Sequence, residues 1–279
     1  MIEKEFTVNF ICPKCKNPLT VTENGNAKCP LGHSYDRARE GYYNLLLSQA
    51  RGVHGDNREM VIARRAFLDT DAYLPLAERV AELACGHTPS GGVLLDCGCG
   101  EGYYTHIISA KADDVNKSLH IHGFDISKEA VRLAAKRDRG LSLAVASSYE
   151  IPILDGTVDT AVNVFSPLAL SETVRILRTG GTFIMAIPAE RHLFGLKSVL
   201  YDTPYLNEPE SDEIVGFELV KREKIAYSLT LDTQEKIHSL FMMTPYAYRS
   251  PREGRERLAA LDRLTTEIEF YLFVYRKVN

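Results

Sequence analysis

Residues 93–105 read VLLDCGCGEGYYT, and this short run decides the fold. The apolar VLLD has the length and composition of a buried strand. It runs directly into Gly98, Gly100 and Gly102, after which Tyr103, Tyr104 and Thr105 open a helical pattern. Glycines in a first strand-to-helix turn let a ligand approach the backbone closely. Asp125 follows Gly102 by 23 residues, at the end of the next expected strand, where a carboxylate can hold ribose hydroxyls. A dinucleotide fingerprint needs GxGxxG, and Tyr103 stands where its last glycine would fall. Asp96 and Glu101 flank the glycines, so a pyrophosphate seated there would meet two carboxylates. S-adenosylmethionine has no phosphate and carries a sulfonium and an ammonium, which suit an acidic turn. The competing reading is that the glycines serve helix–strand packing alone.

Strands and helices alternate outward from this turn. Strands are expected at 92–97, 119–125, 143–146, 160–165 and 182–188, and helices at 103–110, 128–137 and 171–177. Such alternation makes a mostly parallel sheet with helices on both faces, an α/β architecture. Upstream, Asp56 is placed to cap a helix carrying Met60, Ala63 and Phe67, and 73–85 reads as another helix. Residues 37–56 show no clear period and read as a connecting segment. In the tail, 229–231 is a short strand, 234–243 a helix, and 267–274, with its alternating IEFYLFV, a final edge strand.

The six cysteines divide into two groups. Cys12, Cys15 and Cys29 lie in the first 30 residues as CPKC and, thirteen residues on, CPLGH, which adds His33. Two such knuckles can complete a tetrahedron around one zinc, and four protein ligands leave no open position, so the metal is structural. A short hairpin between 19–21 and 27–28 would join the knuckles. A redox pair or a chance cluster are the alternatives; a redox CxxC needs no second knuckle. Cys85, Cys97 and Cys99 read as small buried residues.

At 279 residues, with 45% hydrophobic and 25% charged residues, the chain can bury a core and is neither fibrous nor disordered. No run approaches the ~18 apolar residues of a membrane span, and the first residues lack a signal-peptide core, so a cytoplasmic protein without a membrane partner is expected. The net charge of -4 argues against bulk, non-specific nucleic-acid binding but allows local basic surfaces. One runs from Lys28 through Arg37, Arg39, Arg51 and Arg58 to Arg64 and Arg65; another carries Arg249, Arg252, Arg255 and Arg257 with Tyr246 and Tyr248. Phosphate neutralisation and base stacking are the physical uses of that mix, against the plainer reading of solvated faces.

Taken together, CPKC…CPLGHSYD, REGYYNLL, ARRAFLD, DCGCGEGYYT, FDISK, VFSP, PAERHL and MMTP occur in an order that resembles the bacterial 23S rRNA (guanine-N1)-methyltransferases, zinc-containing class I enzymes dependent on S-adenosylmethionine. The resemblance covers almost the whole chain. It implies a Rossmann-like class I methyltransferase sheet over 73–279, a zinc-ribbon-like RNA-recognition module over 1–36, and a linker and helix over 37–72. It further implies that Cys12, Cys15, Cys29 and His33 bind one zinc, and that Tyr73, Gly100, Glu101 and His192 contact the methyl donor. Asp96, Gly98 and Asp125 join that donor set from the reading of the turn itself.

A 23S rRNA hairpin is the expected partner, because guanine N1 lies on the Watson–Crick edge and is reached only in an unpaired or extruded nucleotide. Glu190 is the candidate to receive the N1 proton, with a plain surface charge as its alternative; Asn163, Ser166 and Pro167 are candidates for the target pocket. Arg64 and Arg65 are the expected phosphate contacts, unless they pair with acids on their own helix. Zinc loss is expected to damage the first 36 residues and leave donor binding intact. Two other functions fit the same residues: methylation of a small molecule beside a purely structural zinc module, and a non-catalytic RNA-binding adaptor. The target guanine and the oligomeric state, with a dimer among the options, are not legible in the sequence.

Overall fold

The computed structural model describes residues 10–47, 55–208 and 211–278. Arg51, counted above in a basic segment, lies outside them. Three two-residue strands, β1 (Thr20–Val21), β2 (Ala27–Lys28) and β3 (Ser34–Tyr35), form a small antiparallel sheet in the order β1-β2-β3. After β4 (Tyr43–Asn44) come two helices, α1 (Arg58–Leu68) and α2 (Leu74–His87). The alternating region then supplies β5 (Val93–Cys97), α3 (Tyr103–Asp114), β6 (His120–Asp125), α4 (Lys128–Arg137), β7 (Ser142–Val145), β8 (Val158–Val164), α5 (Leu170–Ile176) and β9 (Leu177–Pro188). The tail adds α6 (Phe194–Leu200), β10 (Phe217–Leu231), α7 (Gln234–Met242), α8 (Tyr246–Arg249), α9 (Arg252–Ala259) and β11 (Leu264–Lys277).

The main sheet has the order β10-β11-β9-β8-β5-β6-β7-β4. Its six strands from β9 to β4 run parallel, and β11 and β10, an antiparallel pair separated in the chain by α7 to α9, close one edge. This is the mostly parallel α/β sheet that the alternation implied and the class I methyltransferase fold that the resemblance implied. Strand order reverses between β5 and β8, and the crevice outside the carboxyl ends of such neighbours is where ligands bind in open α/β sheets. Among the described residues no helix is long and apolar enough to cross a membrane.

Three expectations change. β11 is not an edge strand: it pairs with β9 on one side and β10 on the other, and Ile268, Phe270, Leu272, Phe273, Val274 and Tyr275 are buried. The edge is β10, whose charged run Lys221, Arg222, Glu223, Lys224 suits a strand with one row of unpaired backbone groups. Asp56 does not cap α1. Asn57 does, its Oδ1 accepting from the Met60 N–H at 2.9 Å, while Asp56 pairs with Arg64. The stretch expected as a connector supplies β4, which joins the main sheet beside β7 (Tyr43↔Ala144, Asn44↔Val145).

The cysteine module is therefore no loose appendage. Phe10, Cys12, Leu19, Ala27, Cys29, Tyr43 and Leu45 share one buried cluster with Leu95, Phe124, Ala144, Ile153 and Phe183 of the main sheet and its loops. Backbone pairing ties it down as well: the Ile11 N–H donates to the Pro152 carbonyl at 2.8 Å, and Phe10 bridges Ile153.

Candidate active site and metal centre

The CPKC turn folds back on itself, with the Lys16 N–H donating to the Cys12 carbonyl at 2.8 Å and Lys16 at φ 60°. The second knuckle repeats the device through Gly32, whose N–H donates to the Cys29 carbonyl at 2.9 Å. Together they bring the donor atoms of Cys12, Cys15, Cys29 and His33 within 4.8 Å of one another. Cys15 Sγ lies 3.6 Å from Cys29 Sγ, and His33 Nδ1 lies 3.5 Å from Cys12 Sγ and 3.4 Å from Cys29 Sγ. A tetrahedral zinc with bonds of about 2.3 Å to sulfur and 2.0–2.1 Å to nitrogen requires S···S near 3.8 Å and S···N near 3.6 Å. The residues fit the ion. Tyr35 Oη, 3.1 Å from Cys12 Sγ, supplies an outer hydrogen bond of the kind that orients a ligand.

The crevice at the reversal point is a cavity of about 680 Å³. The glycine turn lines one side with Gly98, Gly100 and Glu101; Asp125, Ile126, Ser147, Ser148 and Tyr149 continue that wall. Tyr73, Tyr104, Phe165, Ser166, Pro167 and His192 line another, and Met243, Thr244, Pro245 and Tyr246 reach in from the tail. At Gly100, with φ +56°, an added Cβ would meet nothing within 4 Å, so its missing side chain leaves open space in the cavity wall. Asp125 is held rigidly: Oδ2 accepts from the Gly100 N–H at 3.0 Å and Oδ1 from the Ser127 N–H at 2.8 Å. Burial raises its carboxyl pKa, against those two hydrogen bonds. Glu101 is buried beside Arg137, which donates to its Oε2 at 2.6 Å, yet Oε1 has no partner among the described residues. A buried carboxylate oxygen without a donor, next to an open glycine and the side chains of Tyr73 and Tyr104, fits a cationic sulfonium ligand bearing hydroxyl groups.

Tyr73 and His192 come together from distant parts of the chain, with Tyr73 Oη 3.3 Å from His192 Nε2. The Glu269 N–H donates to His192 Nδ1 at 3.3 Å, which assigns the ring proton to Nε2. His192 thus donates to Tyr73 Oη and leaves the phenol proton free to face the cavity. Burial, with the Lys197 charge adding, pushes the His192 pKa down to about 3. The sign of the consequence follows from linkage: His192 stays neutral in the fold, while the unfolded chain takes up a proton below 6.5, so stability is lost as pH falls. At pH 5.5 this amounts to about 1.4 kcal/mol. His192→Gln should therefore lose about that much less stability than the wild type between pH 7.5 and 5.5 in urea unfolding. An identical pH dependence in the two proteins would contradict the buried neutral imidazole.

Three expected site residues stand elsewhere. Asp96 does not line the cavity; it is buried beneath the turn, where its Oδ2 accepts from Thr105 Oγ1 at 2.6 Å and holds the first turn of α3. Burial, with the Asp125 charge adding, raises its pKa to about 7. Glu190 also lies off the cavity wall, with its carboxylate bound by Tyr271 Oη at 2.7 Å and Lys224 Nζ at 3.4 Å. Asn163 is buried in β8, whereas Ser166 and Pro167 do face the cavity. Both expected phosphate contacts are engaged within the protein. Arg65 pairs with Asp69 on its own helix at 3.5 Å; Arg64 lines the cavity, paired with Asp56 and donating to the Met243 carbonyl at 3.4 Å. The sequence reading missed Phe165 and Tyr104 as cavity residues. The φ of 59° at Phe165 is invisible in a sequence, and Tyr104 reads equally well as an ordinary helix residue.

Comparison with known proteins agrees with this geometry. Residues 10–52 match the zinc-ribbon family described as RlmA, N-terminal, and residues 89–241 match a methyltransferase domain family. The 23S rRNA (guanine(748)-N(1))-methyltransferase of Streptomyces fradiae is 33% identical over 258 residues, covering 90% of each chain. YxjB of Bacillus subtilis (strain 168), whose name assigns it to the same guanine-N1 class, is 31% identical over 257 residues, covering 88% of each. Zinc knuckles, donor turn and the full length between them match together, and the chain belongs to the 23S rRNA (guanine-N1)-methyltransferase family.

Proposed function

We propose that this protein transfers a methyl group from S-adenosylmethionine to N1 of a guanine in a 23S rRNA hairpin, in the cytoplasm. The observation that carries the reading is the cavity at the β5/β8 reversal, with an open acidic glycine turn on one side and exposed aromatic surface on the other, in a chain whose similarity to 23S rRNA methyltransferases covers 88–90% of its length. In this reading Gly98, Gly100 and Glu101 hold the donor, Asp125 accepts its ribose hydroxyls, and the Tyr73 hydroxyl, set by His192, binds its polar end. Asp96 acts beneath them as a positioning residue through Thr105. The zinc ribbon (residues 1–36) reads the RNA, 37–72 join it to the catalytic part, and 73–279 carry out the transfer.

When bound, S-adenosylmethionine supplies an already activated methyl group, so the protein's task is to align donor, base and proton acceptor. As the N1–methyl bond forms and the donor's sulfur–methyl bond breaks, releasing a neutral thioether, the N1 proton must leave. The carboxylates on the cavity wall have other roles in this reading: Asp56 pairs with Arg64, Asp125 accepts from two backbone N–H groups, and Glu101 is bound to Arg137 through Oε2 and keeps Oε1 for the donor. Solvent water is therefore the proton acceptor in this reading, and Glu190, bound by Tyr271 and Lys224, is not.

The test is methylation of unmodified large-subunit rRNA with labelled donor, followed by mapping of the modified nucleotide. The expected result is 1-methylguanine at one hairpin position, a rate that falls steeply with salt, and no product from free guanosine. Comparable activity on free guanosine, or methyl at guanine N7, would overturn it.

A further inference from the structure

We propose that the ring of Phe165 is the platform on which the target guanine stacks while its N1 is methylated; this deepens the function proposed above and rests on it. Phe165 sits where β8 ends and faces the cavity. It is 41% exposed, although the preceding Val164 is 8% exposed and the ring itself is wholly apolar. Its backbone is held at φ 59°, in the left-handed region that bulky residues rarely occupy. Asparagine or glycine would take that conformation with less strain, so a phenylalanine there trades backbone comfort for a ring aimed into the crevice. The conformation is fixed on two sides. The Phe165 N–H donates to the Ala186 carbonyl of β9 at 3.2 Å, and Ser166 packs so closely on the donor turn that a Cβ at Gly98 would fall 2.1 Å from its Oγ.

The ring's neighbours prop it without covering it. Tyr73 and Tyr104 meet it edge-on, each with centroids 6.3 Å away, and Phe270 packs at 5.1 Å tilted by 40°. No ring among the described residues lies parallel on it, and stacking in parallel is what a purine base does with an aromatic side chain. Contact through the base plane leaves the Watson–Crick edge uncovered. Because Ser166 touches Gly98, a base on Phe165 lies beside the turn that holds the donor, so N1 and the methyl group share one short stretch of the cavity. An extruded guanine has lost its stacking partners in the RNA, and this ring replaces one of them.

The experiment uses the full chain with Phe165→Leu, Phe165→Asn and Phe165→Tyr. Single-turnover methylation of unmodified 23S rRNA is measured beside S-adenosylmethionine affinity by calorimetry and the thermal midpoint. Loss of one base–aromatic stack predicts a fall of roughly 10- to 100-fold in the methylation rate for the Leu and Asn variants. Donor affinity should stay within twofold, and the Tyr variant within about threefold of wild type. Phe165→Asn suits the left-handed backbone, so its folding separates loss of the ring from loss of structure. With 2-aminopurine at the mapped target position, wild-type protein should quench its fluorescence by stacking and the Asn variant should leave it bright. Unchanged methylation by the Leu and Asn variants, or a parallel loss of donor binding, overturns the platform role. Wild-type protein that methylates no rRNA overturns the guanine-N1 reading itself, and the platform with it.

Discussion

Cys29→Ser should leave the protein without zinc and cost it more than the ribbon. A structural zinc in a small peptide site is worth roughly 10–16 kcal/mol at neutral pH, which matches or exceeds the entire stability of an ordinary domain, about 5–15 kcal/mol. The first knuckle cannot hold its geometry once Cys29 and His33 no longer share an ion with it. The sequence alone led to the expectation that donor binding would survive this loss. The structure leads to the opposite expectation, because Phe10, Cys12, Leu19 and Cys29 are part of the same buried cluster as Ile153 and Phe124. Phe10 and Ile11 pair with residues 152–153, and Lys16 reaches Glu150 at 2.5 Å; Ser147, Ser148 and Tyr149 of the same loop line the cavity. The expected results are one zinc per wild-type chain and none in the variant, a thermal midpoint lower by about 10 °C or more, and weakened S-adenosylmethionine binding. Chelation of the wild type should reproduce all three. Freshly purified wild type without zinc, or a variant with unchanged midpoint and donor affinity, would sink the account.

Gly100→Val should abolish donor binding while leaving the fold nearly intact. The space beyond the Gly100 Cα holds no protein atom within 4 Å of a Cβ, so the new side chain collides only with whatever occupies the cavity. Its cost to the folded protein is the left-handed backbone, about 1–2 kcal/mol for a residue with a Cβ. Its cost to a ligand lying against the turn is far larger, with a loss of affinity of at least 100-fold, about 2.7 kcal/mol. Gly98→Ala makes the matching control, since its Cβ would land on Ser166 inside the protein and should lower stability first. Calorimetric titration with S-adenosylmethionine beside urea unfolding separates the two effects. Near-normal donor affinity in Gly100→Val would place the donor elsewhere.

Local chemistry explains what was readable beforehand. Zinc ligands recur at short spacings because a tight turn can aim two cysteines at one ion, so Cys12, Cys15, Cys29 and His33 declared themselves without a fold. Buried parallel strands are continuous apolar runs, and a ligand-binding turn needs glycine; β5 through β9 and the donor turn are therefore written in adjacent residues. Edge strands leave no such trace. β10 spans Phe217–Leu231, but its first half is a charged solvent-facing run, and only Leu229, Thr230 and Leu231 looked like a strand. β4 has two residues, too few for any period, and exists because β7 offers it a parallel edge.

The same division holds within the site. The sequence by itself determined the ligand chemistry: which residues can bind a metal, which turn admits a cofactor, and which family the motifs resemble. Tertiary structure alone decided which acids face the cavity, removing Asp96 and Glu190 from its wall, and how Arg64 and Arg65 spend their charge on Asp56 and Asp69. It also made the zinc module part of the main core and set Phe165 exposed in the crevice. The physical reason is range. Metal-ligand spacing and strand apolarity are properties of neighbours along the chain, whereas side-chain direction, ion pairing and exposure are fixed by residues that meet only when distant segments pack.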